Sequence, residues 1–229
     1  MTLIGFWGTG NPHLYDILQR TTDPDDLIIE KVRQLCPWRE RVVMDAGCGS
    51  ADHALQIARE AHAVVAVDAD DRMVQMARHN LATSRGGRVG VVAGDIEDLP
   101  FADGTFQAIY AFWAYFFGEG SEAGLAECER VLVPGGRLCV VQNYGGDELS
   151  QLWSDSEFAC LEWPSWFLAK GFSRHVVSTS WCFPSLDEGM SLARFLWGEP
   201  AALKLAGGSS LEFEFRAAIY LRQKNRNPS

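Results

Sequence analysis

From Val42 onward the chain alternates short, nearly unbroken apolar runs with longer amphipathic stretches, and few architectures accept that rhythm. VVMDAG (42–47), VVAVD (64–68), RVGVVAG (88–94), FQAIYAF (106–112) and LCVVQNY (138–144) read as strands. Between them, ADHALQIAREA (51–61), DRMVQMARHNLA (71–82) and GLAECERVL (124–132) carry helical spacing, the last stopping at Pro134-Gly135-Gly136. Apolar runs with so little alternation suit a parallel sheet covered on both faces. Strand and helix in turn, at this spacing, predict a doubly wound α/β domain.

The flanks follow other patterns. Residues 147–170 predict a helix rich in aromatics (Trp153, Phe158, Trp163, Trp166, Phe167), read mainly as core filling. HVVSTSWCF (175–183) and LEFEFRAAIYLRQ (211–223) read as strands around a helix at 186–196, the latter strand placed nearer the sheet edge by its alternation. Its exposed side and the surplus tryptophans also suggest a dimer patch. At the other end, an aromatic, glycine-bearing start precedes the helix-like DPDDLIIEKVRQLC. A length of 229 residues fits one domain (1–229), divided into a flank or lid (1–35), a ligand-binding core (36–145) and a completing segment (146–229).

Charge narrows the partners. Twenty Lys and Arg against thirty Asp and Glu give a net charge of -10, without a basic run, so nucleic acid is a poor partner. No apolar run approaches the ~20 residues of a membrane span. The N-terminus lacks the charged start and cleavable apolar segment of a secretory signal. Six scattered cysteines without a CxxC pair suit neither zinc nor a disulfide framework, and read as reduced thiols of a cytoplasmic protein.

The first strand runs into Gly47-Cys48-Gly49-Ser50-Ala51-Asp52, with Asp45 two residues ahead of the first glycine. A dinucleotide loop offers GxGxxG to a pyrophosphate; here an aspartate holds the third glycine position. Like charges at 4 Å repel by roughly 4 kcal/mol at an effective dielectric of 20, so a phosphate between Asp45 and Asp52 is disfavoured. A ligand with an ammonium and a sulfonium is attracted instead. Asp68 ends the second strand, where a carboxylate can accept from a ribose diol, and Asp95 follows the third. Acids at 45, 68 and 95 can read an ammonium, a ribose and an adenine amine. S-adenosylmethionine carries all three and no phosphate.

These motifs resemble the class I S-adenosylmethionine-dependent methyltransferases over roughly residues 38–145. Asp45-Ala46-Gly47-Cys48-Gly49 is similar to the family's acid-xGxG signature, Asp68 to its second-strand acid, and Asp95-Ile96 to its adenine-contacting pair. LPFADGTFQAIYAF and ERVLVPGGRLCVV resemble the passages into its fourth and fifth strands. The resemblance implies a Rossmann-like, mostly parallel seven-stranded sheet with helices on both faces and the last strand antiparallel. It implies S-adenosyl-L-methionine as cofactor, S-adenosyl-L-homocysteine as product, and a cofactor site of Asp45, Ala46, Gly47, Cys48, Gly49, Asp68, Ala69, Met73, Asp95, Ile96 and Phe112. Cys48 is a small filler with no basic neighbour to activate it. The chain departs from the family at Ala51, where a third glycine is common and where an alanine fits if the helix has begun. It departs again at Gln107, where an aspartate is common.

The acceptor is a small molecule, methylated at oxygen, nitrogen or carbon. Trp7, Tyr15, Trp113 and Phe116 are the candidate substrate residues. His13, Tyr15 and Tyr115 are the candidates for acid–base work, with His175 behind them. No metal cluster is visible in the sequence, and the oligomer is a monomer or homodimer. Two other functions stand beside this one. A nucleoside-binding protein without transfer is the alternative, and a nicotinamide oxidoreductase is disfavoured by Asp45 and Asp52.

Overall fold

Val42–Ala46 forms β1 because each of its side chains is taken up by one side of the sheet or the other. Val43 joins one apolar cluster, Met44 and Ala46 join the opposite one, and alternation turns Asp45 to the Val43 side. The computed structural model describes residues 12–84, 88–114, 118, 120–154 and 163–226, the side chains of Pro12, His13, Asp16, Trp163 and Pro164 excepted.

Six further strands complete the sheet: β2 (Ala63–Asp68), β3 (Val89–Ala93), β4 (Phe106–Phe112), β5 (Leu132–Asn143), β6 (Ser173–Cys182) and β7 (Glu212–Gln223). Their order is β3-β2-β1-β4-β5-β7-β6. The first five pair in parallel, while β7 runs antiparallel to both β5 and β6. On one face lie α1 (Pro12–Thr21), α2 (Leu27–Leu35), α3 (Asp52–Ile57), α4 (Asp71–Thr83), α7 (Leu186–Trp197) and α8 (Glu199–Gly207), over a core that includes Ile17, Ile28, Ile57, Ala77, Leu192 and Leu205. The other face is covered by α5 (Glu122–Val131) and α6 (Trp163–Ala169), around Leu125, Val131 and Phe167. This is the doubly wound sheet that the alternation predicts, with the last strand antiparallel.

Several details differ from the sequence reading. The helix expected at 51–61 stops at Ile57 and gives way to turns. Strand β5 starts at Leu132 and passes through Pro134-Gly135-Gly136. The end of β7 holds that segment: the Gly135 N–H donates to the Lys224 carbonyl and the Lys224 N–H to the Gly136 carbonyl. Residues 147–170 are no single helix; a 3₁₀ turn at Leu149–Gln151 and the short α6 are what is described there. Strand β7 lies next to the edge strand β6, as its alternation predicts, half-exposed at its start and with Phe215 and Ala217–Tyr220 in the core. Helix α8 was not signalled, although Pro200 near its start is a helix opener.

The N-terminal flank is bonded to the sheet along its length, and Arg137 of β5 donates to the Leu35 carbonyl at 2.8 Å. The buried Tyr110 hydroxyl on β4 donates to the Cys36 carbonyl at 2.6 Å. Asp23 accepts the Leu27 and Ile28 N–H groups at the start of α2 and the Thr179 hydroxyl from β6. Gln107, the departure noted above, accepts the Val42 N–H at 2.6 Å and so satisfies the start of β1. Replacing Tyr110 by Phe strips the buried Cys36 carbonyl of its partner, and urea denaturation should show a loss of about 1–3 kcal/mol.

Candidate active site

The turn after β1 is drawn back onto β2. Gly47 and Cys48 donate their N–H groups to the Val67 carbonyl at 2.8 and 3.0 Å, and Gly49 donates to Asp68 Oδ2 at 2.9 Å. Ala51 donates to the Cys48 carbonyl at 2.8 Å, and the Ser50 N–H reaches the Tyr15 hydroxyl. A phosphate-binding loop needs such N–H groups free to point at its ligand. Here they are spent within the protein, which agrees with the acids in rejecting a pyrophosphate.

Gly47 and Gly49 have φ of +70° and +53°, and a Cβ on either would collide, with Ala114 and with the Tyr15 hydroxyl respectively. Ala51 is also left-handed, at φ 69°, and caps α3 from outside it, so the alanine is not accommodated by an already formed helix. Gly49→Ala should destabilise the fold by about 1–3 kcal/mol in thermal unfolding, through backbone strain and displacement of Tyr15.

Asp45 is fully buried. One carboxylate oxygen takes the Ala54 N–H, and Oδ2 has no partner. Burial, then the neighbouring charge of Asp68, pushes its carboxyl up to about 7. Asp68 sits at the tip of β2, half-buried; Oδ1 accepts the Asp70 N–H at 2.9 Å and Oδ2 the Gly49 N–H. Its carboxyl is also raised by burial, against those backbone bonds. Ala69 beside it is exposed, and Met73 is buried in the first turn of α4. Asp95 is exposed after β3, turned back onto the Glu97 N–H, and Ile96 is buried. Cys48 is buried, and burial pushes its thiol upward, as an inert filler requires.

Tyr15 reaches from α1 onto the glycine turn, beside Asp52 and Gln19, and burial raises its phenol. The structure thus joins Tyr15 to Asp45, Gly47, Gly49 and Asp68. Phe112 is buried in the same core cluster as Cys48 and Ala51 and stacks on His53 of α3 with ring centres 4.0 Å apart. Trp113 follows at φ 48°, its N–H bonded to the Val141 carbonyl and its indole N–H to Asn143 Oδ1 at 2.8 Å. His175 stands on the edge strand β6, four strands from β1 or roughly 19 Å at the usual strand spacing, and so is no base for this site. Trp7, Tyr115, Phe116 and the His13 side chain lie outside the described residues.

Sequence reasoning missed His53. It lines a cavity of about 250 Å³ with Gln19, Asp23, Ile28, Ile29, Gln56 and Trp113. Burial lowers its pKa to about 4, so the imidazole is neutral. Its only signal in the sequence was its position just after the glycine turn. Among the described residues no cluster of His, Cys, Asp or Glu could hold a metal, and no helix is long and apolar enough to cross a membrane.

Residues 43–136 match a family described as a methyltransferase domain. The O-methyltransferase rstn1 of Aspergillus nomiae is 29% identical over 140 residues, covering 60% of each chain. A ubiquinone/menaquinone biosynthesis C-methyltransferase, UbiE of Geotalea daltonii, is 32% identical over 104 residues, covering 44% of each chain. The chain spans about half the length of the curated relatives it matches. Among solved structures, the YcgJ protein of Bacillus subtilis superposes with a TM-score of 0.63 at 19% identity, over 87% of this chain and 98% of that one, a likeness of fold. Sequence match and sheet order agree: residues 43–136 match a methyltransferase domain, and the chain shares the doubly wound fold of the solved structure that superposes on it.

Proposed function

We propose that the chain binds S-adenosylmethionine over the β1 and β2 tips and transfers its methyl group to a small molecule by in-line displacement. The observation that carries this is Asp45: a buried carboxylate with an unpaired oxygen, beside two left-handed glycines and the Asp68 carboxylate. An orphaned buried acceptor costs about 1–3 kcal/mol, and a ligand ammonium offsets it. The residues therefore suit the cofactor. Asp68 accepts the ribose hydroxyls, Ile96 and Asp95 border the adenine, and Gly47 and Gly49 leave room for the methionine part. When bound, S-adenosylmethionine supplies a methyl group on a positively charged sulfur that leaves as a neutral thioether.

The protein's own part is alignment and exclusion of water. Fixing two reactants in attack geometry is worth ~7–11 kcal/mol in favourable cases. Tyr15 covers the glycine turn from α1, and with it residues 1–35 serve as the lid over the 36–145 core. The acceptor class follows the relatives, an O-methyltransferase and a C-methyltransferase. Buried free cysteines at 36, 48, 128 and 139 support a cytoplasmic setting.

Calorimetric titration with S-adenosylmethionine, S-adenosylhomocysteine and NAD tests the proposal. Binding of the two sulfur nucleosides and not NAD is expected, followed by label transfer from [methyl-³H]S-adenosylmethionine to a metabolite pool. NAD binding alone overturns it. Tight nucleoside binding with no transfer to any pool makes the chain a nucleoside-binding protein instead.

A further inference from the structure

The α1–α2 junction, α3 and the corner after β4 line the 250 Å³ cavity described above, which opens to solvent on one side. Three observations distinguish it from a packing gap. His53 lines it and makes no hydrogen bond among the described residues. Its imidazole lies flat on Phe112, the planes 3° apart, so its ring plane is fixed. The far wall is Trp113, tilted 41° to the imidazole at 6.2 Å and held in a left-handed backbone by two hydrogen bonds. Strained, over-determined residues of this kind collect at ligand sites.

The position also matters. Trp113 adjoins Ala114, whose Cβ closes against Gly47, and His53 is the second residue of the helix that leaves the glycine turn. The cavity thus borders both elements that flank the loop. We infer that this cavity holds the methyl acceptor, a small planar molecule bearing a hydroxyl, phenol-like or enolic, with the hydroxyl hydrogen-bonded to His53. This rests on the methyltransferase reading and deepens it.

The walls fit that class. Trp113 and Pro24 supply apolar surface for a flat ring, while Gln19, Gln56, Asp23 and Asp26 supply polar partners. A volume near 250 Å³ lies below the ~300–1,000 Å³ of common ligand pockets, so the molecule is small. Burial keeps the imidazole uncharged, so it can accept from an O–H without first losing a proton of its own. His53 touches the acceptor and orients the nucleophilic oxygen. In transfer the oxygen–methyl bond forms as the sulfur–methyl bond breaks, and the hydroxyl proton passes to the imidazole and on to water.

The test uses the intact protein with ¹³C-labelled histidine, His53→Gln assigning the His53 resonance, and phenol and benzene as probes. Phenol should move the His53 signal alone among the histidines, and benzene should bind more weakly by about fivefold, the usual worth of one hydrogen bond. Trp113→Leu should weaken phenol binding, which keeps the test valid if His53→Gln misfolds. A His53 signal unmoved by phenol overturns the proposal, as does equal binding of phenol and benzene. Calorimetry with S-adenosylhomocysteine on the same sample separates the two readings. Nucleoside binding without a phenol response sinks the acceptor site alone, whereas a phenol response without nucleoside binding sinks the methyltransferase reading on which it rests.

Discussion

Asp68→Ala should cost S-adenosylmethionine and S-adenosylhomocysteine affinity alike, by about 100-fold or more, while the protein still unfolds cooperatively. Hydrogen bonds to a charged group are worth roughly 1.5–3 kcal/mol each, and a ribose diol offers two. Equal loss for both nucleosides is the diagnostic feature, because the ribose is common to them and the methyl group is not. Asp68 also receives the Gly49 and Asp70 N–H groups, so the change loosens the turn as well. Asp68→Asn separates the two roles: it retains an oxygen for the backbone and loses the charge and one acceptor. Calorimetry and circular dichroism on both variants check this. Loss of folding without selective loss of affinity would falsify the ribose assignment.

The second large effect concerns Asp45 and runs opposite to most active-site changes: Asp45→Asn should stabilise the cofactor-free protein at pH 8. The native carboxyl is raised from 3.8 to about 7, so the fold favours its protonated form. Native stability from this group is therefore present at low pH and lost as pH rises through 7. At pH 8 the ionised carboxylate burdens the native state by up to about 4 kcal/mol, at 1.36 kcal/mol for each pH unit of displacement. An amide carries no such burden, and the advantage of the variant should vanish near pH 4. Thermal melts at the two pH values decide it.

The same group gives a binding signature. An ammonium placed on Asp45 favours the carboxylate, so wild-type affinity for S-adenosylmethionine should rise between about pH 5.5 and 7.5, by at most tenfold per pH unit. With asparagine at position 45 the profile should be flat and the affinity lower. A wild-type profile without slope would mean that Asp45 does not meet the ammonium.

Much of the site was legible because its signals are local. Two glycines one residue apart after a buried strand specify a left-handed turn, and both are left-handed. Acids at strand ends are legible for the same reason: in a parallel sheet, chain order alone places the carboxyl edge. Asp45 and Asp68 therefore belong to one rim on chain order alone. The partner of Phe112 was not legible, since its place at the end of β4 does not say which ring it meets, and it meets His53.

The tail was harder. LEFEFRAAIYL alternates at its start like a half-exposed strand and does lie next to the edge, but that β6 would pair outside it was not legible. Residue spacing reports exposure and says nothing of strand order, which pairing partners far along the chain select. Residues 147–170 misled for a related reason: helical spacing was present, but a 3₁₀ turn bonded through Asp147 and Ser150 holds its start.

What the sequence determined by itself, then, is the doubly wound sheet, the glycine turn and the acids on its rim, each fixed by neighbours within a few residues of one another. Only the tertiary structure decided that Tyr15 closes on Gly49, that His53 lies neutral on Phe112, and that a cavity opens between α2 and α3. Those contacts join residues tens of positions apart, and burial, which shifts their protonation, exists only once the chain has folded.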